Sequence, residues 1–75
     1  MRTRLTYPHR FRSERAAIGY IRDEGLFSIG AVAVRVDDTG LGWRIAIDSA
    51  RPDAVVRYLG QRLPGREWQR TESPA

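Results

Sequence analysis

The chain has 75 residues, a net charge of +4 and no cysteine. That length is expected to make one domain, residues 1–75, with a thin stability margin, because so short a chain buries only about 60% of its unfolded surface. The absence of cysteine excludes disulfides, thiolate metal sites and cysteine nucleophiles.

No run approaches the roughly 18 consecutive apolar residues of a membrane span. The basic start, Met1-Arg2-Thr3-Arg4-Leu5, is not followed by a long apolar stretch. Neither a signal peptide nor a span is therefore expected, and the default expectation is a cytoplasmic protein. The placement of charge says more than its size. Residues 1–15 carry five arginines against Glu14 alone, whereas residues 16–75 are balanced. All 13 basic residues are arginine. A GC-rich genome produces that bias, and so does a need for the planar guanidinium fork, which suits phosphate and carboxylate.

In chain order, Thr3 to Tyr7 reads as a first strand, with Leu5 and Tyr7 on one face and Arg4 and Thr6 on the other. Pro8 lacks an N–H and ends the ladder. Ser13 is a helix N-cap and Glu14 suits the positive end of the dipole. The helix is predicted over about 14–24, with Ala16, Ala17, Ile18, Tyr20 and Ile21 on its apolar arc and Gly25 as the αL residue that ends it. Gly19 inside it marks either a close packing contact or a simple loss of helix propensity.

Leu26 to Val36 reads as the second strand, with a parity conflict. Phe27 and Ile29 fall on the odd face; Val32, Val34 and Val36 fall on the even face, which is expected to be buried. A bulge at Gly30 would reconcile them; otherwise Phe27 and Ile29 are exposed. Residues 37–42 are turn-rich, and Trp43 to Asp48 is the third strand, burying Trp43, Ile45 and Ile47. Pro52 and Asp53 open a second helix that runs to Leu63, with Val55, Val56, Tyr58, Leu59 and Leu63 on one face. Pro64-Gly65 stops it. Arg66 to Arg70, centred on Trp68, reads as an edge strand, and 71–75 as a disordered tail.

The order is β-α-β-β-α-β. That is the ferredoxin-like, split-βαβ plan of an α+β sandwich. It implies an antiparallel sheet of order 4-1-3-2 with two helices on one face, joined by right-handed crossovers. A fold plan carries no function with it.

The catalytic inventory is thin. His9 is the only histidine and has no companion nucleophile in a recognisable spacing. Asp37-Asp38 offers turn chemistry rather than metal-ligand spacing. The glycines at 40 and 42 form no phosphate-binding motif. No enzyme, cofactor or metal is expected.

Two features point to binding. Tyr7-Pro8-His9-Arg10-Phe11-Arg12 alternates rings with guanidinium groups; either the arginines contact phosphates and exposed rings stack on bases, or Tyr7 and Phe11 are core anchors and the arginines are solvated. If the even parity of the second strand is buried, the open sheet face displays Arg4, Thr6, Ala31, Ala33, Arg35, Arg44, Ala46 and Asp48, a floor of alanines flanked by arginines. The leading expectation is a small non-enzymatic module that docks an acidic macromolecular surface, nucleic acid or acidic protein, through Arg4, Thr6, Arg10, Phe11, Arg12, Arg35 and Arg44. The competing expectation is a protein-only adaptor or inhibitor, of the kind carried by phages and mobile elements, acting by protein–protein contact or homodimerisation.

Overall fold

The computed structural model describes residues 2–36 and 42–73. The element order is β1 (Thr3–Thr6), α1 (Glu14–Asp23), a 3-10 turn (Leu26–Ile29), β2 (Val32–Arg35), β3 (Trp43–Ser49), α2 (Pro52–Arg62) and β4 (Gln69–Glu72). The four strands form one sheet in the order β2-β3-β1-β4. Every neighbouring pair is antiparallel. The chain is thus an α+β protein with a four-stranded antiparallel sheet and two helices. No helix among the described residues is long and apolar enough to cross a membrane.

The central pair sets the core. Leu5 of β1 lies opposite Ile47 of β3, so their side chains share a face. Leu5, Ile45 and Ile47 have no solvent exposure, and they cluster with Ala17 and Ile21 of α1, with Leu59 of α2 and with Leu63 just after it.

The caps of α1 follow from its sequence. Ser13 accepts a hydrogen bond from the Ala16 N–H at 3.1 Å. Gly25 ends the segment with φ 68°, in the left-handed region where glycine has no Cβ penalty. The buried stripe is narrower than the expected arc. Ala17 and Ile21 are buried and Tyr20 half-buried, while Ala16 and Ile18 are exposed. Gly19 marks no tight contact, since an added Cβ would meet nothing nearer than the Arg22 guanidinium at 4.0 Å. Gly19→Ala is therefore expected to raise stability by about 1 kcal/mol, read as a higher urea midpoint. In α2, Pro52 stands in the first turn, where its missing N–H costs nothing. Val55 and Val56 pack on the core with Leu59 and Leu63, whereas Tyr58 is exposed.

The second strand departs from expectation. Leu26–Ile29 is a 3-10 turn, not the start of a strand. Gly30 follows at φ 81°, so it is a left-handed turn residue and not a bulge. The turn buries Leu26, tucks Ile29 against the core and leaves Phe27 exposed. The strand that emerges is only Val32–Arg35, and its parity is reversed. Ala33 lies opposite Ile45, so Ala33 faces the core and Val32 and Val34 face away. Val32 is 47% exposed and Val36 42%. Ala31, expected on the open face, is buried at 2%.

The last strand is displaced as well. It spans Gln69–Glu72 and not 66–70, with Thr71 opposite Arg4 and Glu72 opposite Thr3. Thr71 and Glu72, expected in a tail, are paired residues. The Ser73 N–H continues the contact to the Arg2 carbonyl at 3.1 Å. Trp68 sits just before the strand, half-buried against Tyr7.

Candidate docking surface

The residues chosen from sequence do not share one surface. The open face, as the registers place it, carries Arg4 and Thr6 of β1, Arg44, Ala46 and Asp48 of β3, Val32 and Val34 of β2, and Gln69 and Thr71 of β4. Of the three alanines expected there, only Ala46 is on that side, and its neighbours leave it no solvent exposure; Ala31 and Ala33 belong to the core side. Arg35 is not on that face either. It lies opposite Trp43 on the helix side, with its guanidinium carbon 5.8 Å from the Trp43 ring centroid, a cation–π distance.

Arg4 is committed within the molecule. Its Nε and Nη2 donate to the two carboxylate oxygens of Asp48 at 2.8 and 2.9 Å, the bidentate fork that guanidinium geometry favours. The hydrogen bonds from Arg4 hold the Asp48 carboxyl below the usual carboxylate range, against the opposing effect of desolvation. A depressed folded-state pKa contributes stability that is fully present above the unfolded value and lost as pH falls through the folded one. Asp48→Asn is thus expected to cost no more than about 1 kcal/mol at neutral pH. The gap to the wild type should close as pH drops below the unfolded value near 3.8, checked by urea midpoints across the acid range.

The other candidates gather at one end of the sheet through a local irregularity. Thr6 lies opposite Ala46, and the Tyr7 N–H donates to the Ile45 carbonyl at 2.9 Å. Phe11 then pairs with Trp43 through bonds of 2.7 and 3.2 Å. Pro8, His9 and Arg10 therefore face Arg44 alone and must loop outward. Pro8, next in that alternation, turns toward the β4 side and has no N–H there to extend the pairing of β1 with β4 beyond Gln69. The loop returns Tyr7 and Phe11 to the same face, where their rings stack at 5.9 Å and 24°.

Those rings are anchors, not platforms. Tyr7 is 3% exposed. It packs on Tyr20 at 5.1 Å and Trp68 at 5.1 Å, and its hydroxyl donates to the Tyr20 Oη at 3.1 Å. Burial, then the Tyr7 hydrogen bond, push the Tyr20 phenol up to about 12. The exposed His9 sets its ring edge-on to Tyr7 at 5.5 Å. Tyr7 is thus not available to stack on a base, and Phe11 is half-covered by its packing on the core.

Around this aromatic plug stand arginines. Arg10 and Arg12 flank Phe11 and are exposed. The cross-strand row Phe11–Trp43–Arg35 places Arg35 at the same end. Arg44, next to Trp43, donates to the Gln69 side-chain oxygen at 3.2 Å. The Arg66 Nε donates to the Tyr7 Oη at 3.0 Å. Exposed acids in these segments are Glu14 and Glu67; Asp37 and Asp38 lie outside the described residues. Toward the opposite end two arginines are held in ion pairs: Arg4 with Asp48, and Arg70 with Asp53 at 2.9 Å. Sequence reasoning missed Arg66 and Gln69, because no local pattern tells that residue 66 reaches residue 7.

An open apolar groove of about 460 Å³ lies between Ile29, Ser49, Arg51, Val55 and Tyr58. No group of three His, Asp or Glu side chains suited to a metal ion occurs among the described residues. No protein-family model, curated protein or solved structure matches this chain.

Proposed function

We propose that this chain is a small, non-enzymatic binding module that docks an acidic macromolecular surface through the basic end of its sheet. The contacting groups are Arg10 and Arg12, with Arg35, Arg44 and Arg66 beside them. The observation that carries this reading is the outward loop of 8–10. It sets Arg10 out from the sheet, with Arg12 just beyond Phe11, above the packed rings of Tyr7, Phe11, Tyr20 and Trp68, so the backbone that presents them is already placed before binding. Arg4 and Thr6 drop out of the contact set, Arg4 because Asp48 already satisfies its fork. The exposed His9 packs edge-on to Tyr7, whose buried hydroxyl is already bonded to Tyr20 and Arg66, which favours binding over catalysis.

The fold reading belongs to the same proposal. The order β2-β3-β1-β4, counted from its other edge, is 4-1-3-2. With helices in both crossovers, it supports a ferredoxin-like plan.

Fluorescence anisotropy with a labelled DNA duplex and with an acidic polypeptide tests the reading. Binding to at least one at low salt is expected. For the duplex, neutralising four or five phosphates gives a slope of log K against log salt near about −4. No binding of either probe at low salt would overturn it.

A further inference from the structure

We propose that a second copy of this chain adds to the outer edge of β2, antiparallel, in a register centred on Val34. The surface is separate from the basic end and rests on different observations.

β2 is a terminal strand of the sheet, and among the described residues no strand pairs with its outer side. Its hydrogen-bond phase follows from one contact. The Val36 N–H donates to the Gly42 carbonyl at 2.6 Å, in register with Val34 opposite Arg44 and Val32 opposite Ala46. Antiparallel ladders alternate. Val32, Val34 and Val36 therefore turn their backbone groups toward β3, and Ala33 and Arg35 turn theirs toward the outer edge.

A two-fold axis at Val34 uses that phase completely. Ala33 of each copy falls opposite Arg35 of the other, and each such pair exchanges both of its backbone hydrogen bonds. Val34 meets its own copy in the close, non-hydrogen-bonded position between them. Val32 falls opposite Val36 of the second copy.

The side chains fit the same axis. The segment Val32-Ala33-Val34-Arg35-Val36 is nearly palindromic about Val34. On the open face the dimer lines up valines from both copies, including Val32 and Val36, which the monomer leaves 47% and 42% exposed. On the helix side each Arg35 meets a small Ala33, so its place over Trp43 is kept and no like charges stand directly opposed. β2 carries no proline and one charged side chain, Arg35, which lies toward Trp43, so its open face has no charged guard. The opposite edge is guarded: Gln69, Arg70, Thr71 and Glu72 are all exposed polar residues. The two edges thus differ in chemistry: β2 offers apolar side chains for self-pairing, and β4 offers exposed polar ones, with Arg70 already engaged by Asp53. An isologous pair of this kind closes and does not grow into a fibre.

Sedimentation equilibrium of the full chain is the test. At high micromolar concentration the wild type is expected to show twice its 8.6 kDa chain mass. Val34→Lys and Val34→Glu each place like charges at the axis and are expected to weaken association about tenfold or more. Both changes lie on the open face, and circular dichroism checks that each variant remains folded. Mixing the two variants should restore the dimer, because opposite charges then meet at the axis. Ala33→Pro removes an outward N–H without touching the ladder to β3, and it should also dissociate the pair. A monomeric wild type overturns the proposal. So does a dimer that persists in both single charge variants, or a mixture that stays monomeric.

Discussion

Leu5→Ala is expected to lower the unfolding free energy by about 2–5 kcal/mol, the range for emptying a fully buried leucine site. Leu5 has no exposed surface, stands on a central strand opposite Ile47, and joins the cluster that both helices cover. A cavity there cannot collapse easily, because β1 is held by β3 on one side and β4 on the other. At about 0.05–0.15 kcal/mol per residue, a chain of this length has roughly 4–11 kcal/mol in total. The variant should therefore melt in far less urea, or be unfolded without it. Val32→Ala removes methyl groups that are nearly half in water, and its cost should stay under about 1 kcal/mol. Equal costs for the two, read from urea midpoints by circular dichroism, would contradict the assignment of sheet faces.

Replacing Arg10 and Arg12 together by alanine is expected to have the largest effect on binding. Each phosphate neutralised contributes about −0.9 to the salt slope. Losing two contacts should flatten the slope by about 2 and weaken binding at all salt concentrations where the wild type binds. Stability should hardly change, since both side chains are exposed. Arg4→Ala should do the reverse. It removes a partner of Asp48 and loses up to about 1 kcal/mol of stability, with the salt slope unchanged.

Much of the architecture was legible in the sequence. Ser13, Gly25 and Pro52 are local signals whose physics does not depend on the rest of the fold, and all three stand where such residues cap or open helices. Leu5 and Tyr7 share a buried face because alternation on a central strand leaves no other choice. The second strand was illegible for a definite reason. Alternation says which residues share a face but not which face turns inward. Three valines against three small or charged residues suggested the wrong one. Hydrophobicity decides parity firmly only for strands covered on that face by the core, and β2 is an edge strand. There the tight 3-10 turn between Gly25 and Gly30 fixes the entry of the chain, and Ala31 and Ala33 are small enough to lie under α1. The error carried into the site: with parity reversed, Arg35 moved to Trp43 and two of the three floor alanines moved inside.

The site was half legible. The alternation of rings and arginines in 7–12 marked a segment whose two arginines the fold leaves exposed. It left open whether the rings anchor the core or stack on a partner; they anchor it, and the stacking among Tyr7, Phe11, Tyr20 and Trp68 that decides this depends on residues distant in sequence. The ion pair of Arg4 with Asp48 spans 44 positions and had no local signature.

The most direct measurement is the salt dependence of duplex binding for three proteins side by side: the wild type, Arg10→Ala/Arg12→Ala, and Arg4→Ala. The basic-end account expects a slope near about −4 for the wild type and for Arg4→Ala, and a slope shallower by about 2 for the double variant. A double variant with the wild-type slope, or an Arg4→Ala protein that loses as much as the double variant, would contradict it.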